Sequence, residues 1–214
     1  MTEINVYGSI FEQSGYASHT RQLVNAFYKL NPQIYLDCPK PQDWIRYAST
    51  AEMNMINSQP YKNGTDIVIN LPPYWLYNLS NKPKNFIGWC VWEGTNVPKS
   101  WESIFSNIYI KHIICPSNHT LSAVKNTFKT LLAPQFHVIS HGINPFIFKP
   151  LKPLKSKAFT FIANKGWAAG INDRGGIQWL LKAFCEEFRN DKNVELHLKI
   201  NMSYCPPGWS LPNE

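Results

Sequence analysis

The 214-residue sequence predicts an α/β fold: a doubly wound parallel sheet followed by the opening of a second βαβ unit. Three observations carry that prediction. Short apolar runs alternate with segments of helical period, as parallel strands joined by crossover helices require. The run Phe86–Trp92 is continuously apolar, as expected of a strand buried on both faces. Glycines and polar residues gather where strands hand over to helices, the side on which such sheets bind ligands.

The elements follow in order. Ile4–Tyr7 reads as the first strand, followed by a loop bounded by Gly8 and Gly15. His19–Leu30 places Leu23, Val24, Phe27 and Leu30 on one helical face and is stopped by Pro32. Ile34–Leu36 is a short strand. The polar stretch 39–63 contains a helix around Trp44–Met55, and Asp66–Leu71 is the third strand, closed by Pro72-Pro73. After Phe86–Trp92, Pro98 suits a first helical turn, and Trp101, Ile104, Phe105, Ile108 and Tyr109 form an apolar stripe. His112–Cys115 is the next strand. Ser117 caps a helix bearing Leu121, Val124, Phe128 and Leu131, and Phe136–Ile139 leads to Ser140-His141-Gly142. Beyond a lysine- and proline-rich linker come a strand, Phe159–Ala163, and a glycine-rich loop, 164–176. A helix with Ile177, Leu180, Leu181, Phe184 and Phe188 on one face precedes a last strand, Val194–Ile200. The expected domains are therefore 1–148, a linker over 149–157, and an incomplete second unit over 158–214.

Composition removes several function classes. The five cysteines are scattered and show no CxxC spacing, so neither a zinc site nor a disulfide framework is expected. No apolar run reaches the length of about 18–20 residues needed to span a bilayer. The start, Met1-Thr2-Glu3-Ile4, lacks the basic and apolar regions of a signal peptide, so a cytoplasmic location is expected. Twenty-one basic against fourteen acidic residues give a net charge of +7. Part of that excess falls on Lys149, Lys152, Lys155 and Lys157, a strip that reads as a solvated linker and leaves room for peripheral contact with an inner membrane surface. No interleaved aromatic and basic stripe supports nucleic-acid binding.

Two loops carry the chemistry. Gly8-x6-Gly15-Tyr16 follows the first strand, where glycines allow a ligand close to the backbone and permit positive φ, although the spacing is not the GxGxxG fingerprint. The loop 164–176 joins a strand to a helix N-terminus, a place that favours an anion. Lys165 and Arg174 add full positive charges suited to a diphosphate, Arg174 as a bidentate fork and Lys165 as a point charge.

Five stretches in this order resemble a GT-B fold glycosyltransferase of the retaining family 4 type. They are Ser14-Gly15-Tyr16, the segment from Trp92-Glu93-Gly94-Thr95 to Trp101, Cys115-Pro116-Ser117-Asn118, the segment from Val138 through His141-Gly142 to Phe148-Lys149-Pro150, and Asp173-Arg174-Gly175-Gly176-Ile177-Gln178 running into Lys182-Ala183-Phe184. The resemblance implies a Rossmann-like N-terminal domain that holds the acceptor and a C-terminal domain that holds a nucleotide-sugar donor, with Gly15 and Tyr16 in an acceptor or donor loop. It implies that Lys165, Arg174 and Gly175 meet the donor's diphosphate. The chain departs from the commonest pattern, in which lysine precedes the glycine at the helix start, because Gly175 stands there. Glu187 and Glu195 reproduce the spacing of the family's Glu-x7-Glu signature but fall too early in the chain to be that signature.

Departure of a nucleoside diphosphate leaves an oxocarbenium-like sugar, so the main requirement is charge stabilisation on the leaving group. Cations and helix N-termini supply it, and neither a metal nor a cofactor is expected. Glu93 and His141, read as strand-end residues facing the interdomain cleft, are the candidates for orienting acceptor hydroxyls. The expected function is sugar transfer from a nucleotide-sugar to an acceptor hydroxyl, with retention, on a glycan, lipid or protein acceptor. Two other readings stay open: a non-catalytic glycan- or nucleotide-binding module or subunit of a split enzyme, completed by a homo-oligomer or partner chain, and a basic surface-binding protein. The opening of the second unit is too small to bury both faces of a sheet, and it is expected to need a neighbour.

Overall fold

The computed structural model describes residues 2–12, 14–129, 134–150, 157–164 and 175–199. The chain divides into two compact units, Met1–Lys149 and Pro150–Glu214. The first contains β1 (Ile4–Tyr7), α1 (Gly15–Leu30), β2 (Ile34–Asp37), α2 (Thr50–Asn57), β3 (Thr65–Ile69), α3 (Trp75–Ser80), β4 (Asn85–Trp89), α4 (Glu102–Phe105), β5 (Ile110–Cys115), α5 (Asn118–Thr127) and β6 (Gln135–Val138). All neighbouring strands are parallel, in the order β2-β1-β3-β4-β5-β6. This is the parallel α/β architecture that the sequence predicts, consistent with a Rossmann-like fold.

Strand alternation sorts the core into two layers. On one face Val6, Leu36, Ile67, Ile69, Trp89 and Ile114 pack with Val24 of α1 and with Met55 and Ile56 of α2. On the other, Val68, Phe86, Ile113 and Cys115 pack with Trp75 and Leu79 of α3, Ile104 and Phe105 of α4, and Val124 of α5. Cys90 and Cys115 are buried as small apolar residues, and burial raises both thiols above their usual range.

A buried carboxylate decides where α2 goes. Glu52, only 1% exposed, closes a capping box with Ser49 at the start of α2. It also accepts two bonds from Arg21 of α1, from Nε at 2.6 Å and from a terminal nitrogen at 2.8 Å, and a third from Asn25 at 2.9 Å. A charge taken out of water must be paired in this way to persist. The hub ties α2 beside α1, so both helices flanking β2 lie on the Val6–Leu36 face. Neither covers the opposite face of β1 and β2, where Asn5 registers with Tyr35 and Tyr7 with Asp37.

Several boundaries move for local reasons. Helix α1 starts at Gly15, four residues before the predicted His19, because Ser14 takes the N-cap and its side chain accepts from the Ala17 amide. Leu30 ends that helix exposed to solvent. The predicted helix over Trp44–Met55 breaks into a 3-10 turn, Trp44–Arg46, and α2. Helix α3 has no counterpart in the sequence reading, where Pro72-Pro73 closed a strand; the prolines instead open a 3-10 turn that feeds the helix. Strand β4 ends at Trp89 instead of Trp92, since Trp92 folds back to donate to the Asn96 carbonyl and to pack edge-on against Trp101. Helix α4 is a single turn ending at Phe105, and Ile108 lies exposed beyond it.

In the second unit, β7 (Phe159–Asn164) and β8 (Val194–Lys199) are parallel, with α6 (Ile177–Glu187) between them in sequence. Phe161 packs against Phe184 and Phe188 at ring distances of 6.0 and 5.4 Å. Thr160, Ile162 and Asn164 alternate onto the other side, in register with Glu195, His197 and Lys199. Burial along β8 alternates accordingly. The second face is thus mostly polar, unlike the double apolar face expected of a buried parallel strand.

Two sets of substitutions test this packing. A Cβ built on Gly88 would lie 2.4 Å from the Trp75 ring, and Trp75 is fully buried; Gly88→Ala is expected to lower unfolding free energy by about 3 kcal/mol in urea titration. Glu52→Gln is expected to cost about 2–3 kcal/mol, toward the low end for a buried pair because Arg21 is partly exposed. Burial alone would raise the Glu52 carboxyl, but Arg21, the Ser49 amide and Asn25 outweigh it and hold it at about 2. Its contribution should be full above about pH 4.5 and vanish as pH falls through 2, a segment absent from the acid titration of Glu52→Gln.

Candidate functional site

The strand order creates the site. From β1 the chain moves one way to β2, then returns past β1 to place β3 on its other side and proceeds outward through β6. The β1–β3 boundary is a topological switch point, where the loops leaving the two strands diverge and open a crevice at their carboxyl ends. A cleft of about 1020 Å³ lies there. Tyr7, Gly8 and Ser9 line it from β1, Asp37 and Cys38 from β2, and Val68 and Asn70 from β3. Glu12 and Tyr16 flank the start of α1, Tyr74 ends the turn into α3, and Tyr77 stands on α3 itself. The cleft continues onto the face of β1 and β2 that α1 and α2 leave uncovered.

Its electrostatics follow from its neighbours. Burial first, then Asp66, Tyr35, Asp37 and Tyr77, push the Tyr7 phenol well above its usual range, so it remains protonated and able to donate. The edge of the Tyr35 ring meets Tyr7, with centroids 6.4 Å apart. Asp66 sits behind, accepting from Asn5 Nδ2 at 2.7 Å. Cys38 is buried, which lifts its thiol to about 11 and leaves no thiolate for nucleophilic work.

The two glycines of the first loop differ in role. A Cβ on Gly8 would come within 3.1 Å of Thr20 Oγ1 and 3.2 Å of the Ile69 carbonyl, so Gly8 allows β1, β3 and α1 to approach closely. Gly15 is the first residue of α1 with open space around it. Neither has a positive φ; among described glycines that conformation belongs to Gly176. Tyr16 lines the cleft, and its hydroxyl donates to the Val91 carbonyl at 3.2 Å. Burial, then Cys90 and Glu93, raise its pKa.

Glu93 and His141 are not in the lining of this cleft. Glu93 lies four residues beyond the end of β4, exposed, with its carbonyl 3.0 Å from His119 Nε2. His141 stacks on His19 of α1, ring centroids 4.0 Å apart and planes 23° apart, while His19 also packs on Trp89 at 4.5 Å. His19 is 7% exposed, and its Nε2 is buried without a hydrogen-bond partner. Burial, then His141, lowers its pKa to about 4; burial lowers that of His141 as well. At neutral pH the stack is a pair of uncharged imidazoles.

Lys165 and Arg174 lie outside the described residues, as do Lys152 and Lys155 of the linker. Gly175 precedes Gly176, which caps α6 with φ of 68° and offers no side-chain oxygen to its first amides. Glu187 ends α6, and Glu195 in β8 meets His197 at 3.2 Å. Among the described residues, no group of three or more His, Cys, Asp or Glu side chains is arranged to hold a metal ion, and no helix is long and apolar enough to cross a membrane.

The sequence reading found Tyr16 but missed Tyr7, Asp37, Asn70, Tyr74 and Tyr77. The available signal was that Tyr7, Asp37 and Asn70 lie at or just after a strand's carboxyl end; Tyr74 and Tyr77 follow on the turn and helix after β3. Which of those ends converge depends on strand order, which no local pattern encodes. Compared with models of known protein families, the chain matches none, and a comparison with curated proteins finds no match.

The histidine stack gives a pH signature. Because the folded-state pKa of His19 is lowered, unfolded chains bind more protons between about pH 6.5 and 4. Stability from this residue should be full above pH 6.5 and lost as pH falls through 4. Thermal melts across that range should flatten in His19→Phe, which keeps the ring contacts and removes the titration.

Proposed function

We propose that this chain is the acceptor-side domain, with the start of the nucleotide-sugar-binding domain, of a glycosyltransferase acting with retention. The observation that carries the reading is the cleft at the β1–β3 switch point, lined by Tyr16 of the first ligand-loop motif, whose hydroxyl donates to the Val91 carbonyl just ahead of the Trp92-Glu93 segment. A parallel sheet with a switch-point crevice suits a domain that presents a bound hydroxyl toward a second domain. In this reading the acceptor occupies the cleft. Lys165 and Arg174, with the α6 N-terminus, meet the donor's diphosphate and stabilise its departure. Glu93 and neutral His141 orient acceptor hydroxyls in this reading.

A second reading, a non-catalytic binding module or one subunit of a split enzyme, has its own observation. Glu93 and His141 are held apart from the cleft lining, Glu93 by the early end of β4 and His141 by its stack on His19. This reading predicts saturable binding without turnover.

Titration calorimetry with uridine and guanosine diphosphates, together with product analysis for a panel of nucleotide sugars, separates the two readings. The enzyme reading expects nucleoside-diphosphate binding that weakens about tenfold or more in Arg174→Ala and Lys165→Ala, the loss of a charge-assisted bond. It also expects sugar transfer to an acceptor. Unchanged affinity in both variants overturns the diphosphate assignment, and binding with no transfer to any acceptor favours the module.

A further inference from the structure

We infer that the switch-point cleft is a site for an uncharged pyranose ring and rejects phosphate groups. This inference rests on the acceptor-side reading above and names the class of acceptor group that the first loop would meet.

The loop from β1 into α1 is where doubly wound sheets most often seat a phosphate, on the free amides and positive end of the first helix. Here that position is taken. Ser14 Oγ accepts the Ala17 amide at 3.1 Å and donates to Glu12 Oε1 at 3.1 Å. The protein thus places its own side-chain oxygen and a carboxylate at the helix start, where they satisfy the amide and offset the dipole. An incoming phosphate would meet a like charge.

The remaining charge points the same way. Although the chain carries +7, the charged side chains described around the cleft are Glu12, Asp37 and Lys40, two negative against one positive. The Lys40 ammonium lies 5.5 Å from the centre of the Trp44 ring, a cation–π contact that engages it away from a ligand. A basic protein whose cleft carries a net negative set of described side chains has made that cleft poorly suited to an anion.

What the cleft does offer fits a sugar. Tyr74 and Tyr77 line one wall with their side chains largely in solvent, Tyr77 being 76% exposed. The electron-rich faces of such rings attract the weakly positive C–H groups on the flat side of a pyranose. Asp37 accepts hydroxyl protons, Tyr7 donates, and Asn70, whose side-chain oxygen already accepts from the Leu71 N–H at 2.8 Å, has its amide nitrogen as a further donor. Hydroxyls at the ring's edge can each give and take a hydrogen bond, and this set answers both requirements without a full charge on the ligand.

The test uses the full chain and two probes: methyl α- and β-pyranosides of glucose, galactose, mannose and N-acetylglucosamine, and inorganic pyrophosphate. Saturation-transfer NMR should show contact to ring C–H protons of at least one glycoside. Tyr77→Ala, at an exposed position with little bearing on folding, should weaken that binding about tenfold. Asp37→Asn should weaken it too, with an unchanged melting temperature in both variants. Pyrophosphate should not displace the glycoside from the wild-type chain and should begin to do so in the Glu12→Gln, Asp37→Asn double variant. Pyrophosphate competition in the wild type, or no glycoside contact at millimolar concentrations, overturns the inference. Nucleoside-diphosphate affinity that depends on Arg174 would survive that failure, and glycoside binding would survive a failure of sugar transfer, so the two proposals fail separately.

Discussion

The buried carboxylate of Glu52 is the constraint from which the site follows. A carboxylate removed from water is tolerable only with its oxygens bonded, and Arg21, Asn25 and the Ser49 amide meet that demand. Because its partners lie on both α1 and α2, the hub holds the two helices on the same face of the sheet. That arrangement leaves the other face of β1 and β2 without either helix, and the chain places Asn5, Tyr7, Tyr35 and Asp37 there in place of aliphatic residues, Asn5 buried by its bonds to Tyr61 and Asp66. The same arrangement therefore creates both the polar wall of the cleft and the room for a ligand.

The opposite layer is built on shape more than on charge. Gly88 leaves a flat place in β4 on which the Trp75 indole lies, and Trp75 donates to the Asn70 carbonyl at 2.9 Å. That anchor fixes α3 at the end of β3 and so sets where Tyr74 and Tyr77 stand. One wall of the cleft thus depends on a missing methyl group in the sheet, and the other on a paired charge beneath it.

Function in this arrangement divides between the cleft and its margins. The cleft gathers aromatic rings, one carboxylate at the end of β2 and amide groups. Glu93 and His141 are positioned from outside it, one by the loop beyond β4 and the other by stacking on a buried histidine. A pair of neutral imidazoles beside the sheet edge changes charge only in acid, so the margin is electrically quiet at neutral pH.

The sequence by itself determined the fold class, the six strands of the first unit and most of the helices, because each depends on periodicity within a dozen residues. It also marked Gly15-Tyr16 as a ligand loop, since glycines after a first strand are visible locally. It misjudged the ends of β4 and α1, where Trp92 and Ser14 act through single hydrogen bonds that periodicity does not register. Helix α3 was hidden because its anchor, Trp75, matters only against Gly88, a contact between residues on separate elements. Tyr7, Asp37 and Tyr77 carry no common motif, and the Arg21–Glu52 pair spans thirty-one positions. Tertiary structure alone decided those, because strand order and the face chosen by each crossover helix are properties of how the chain returns on itself, and distance in space is not encoded in distance along the chain.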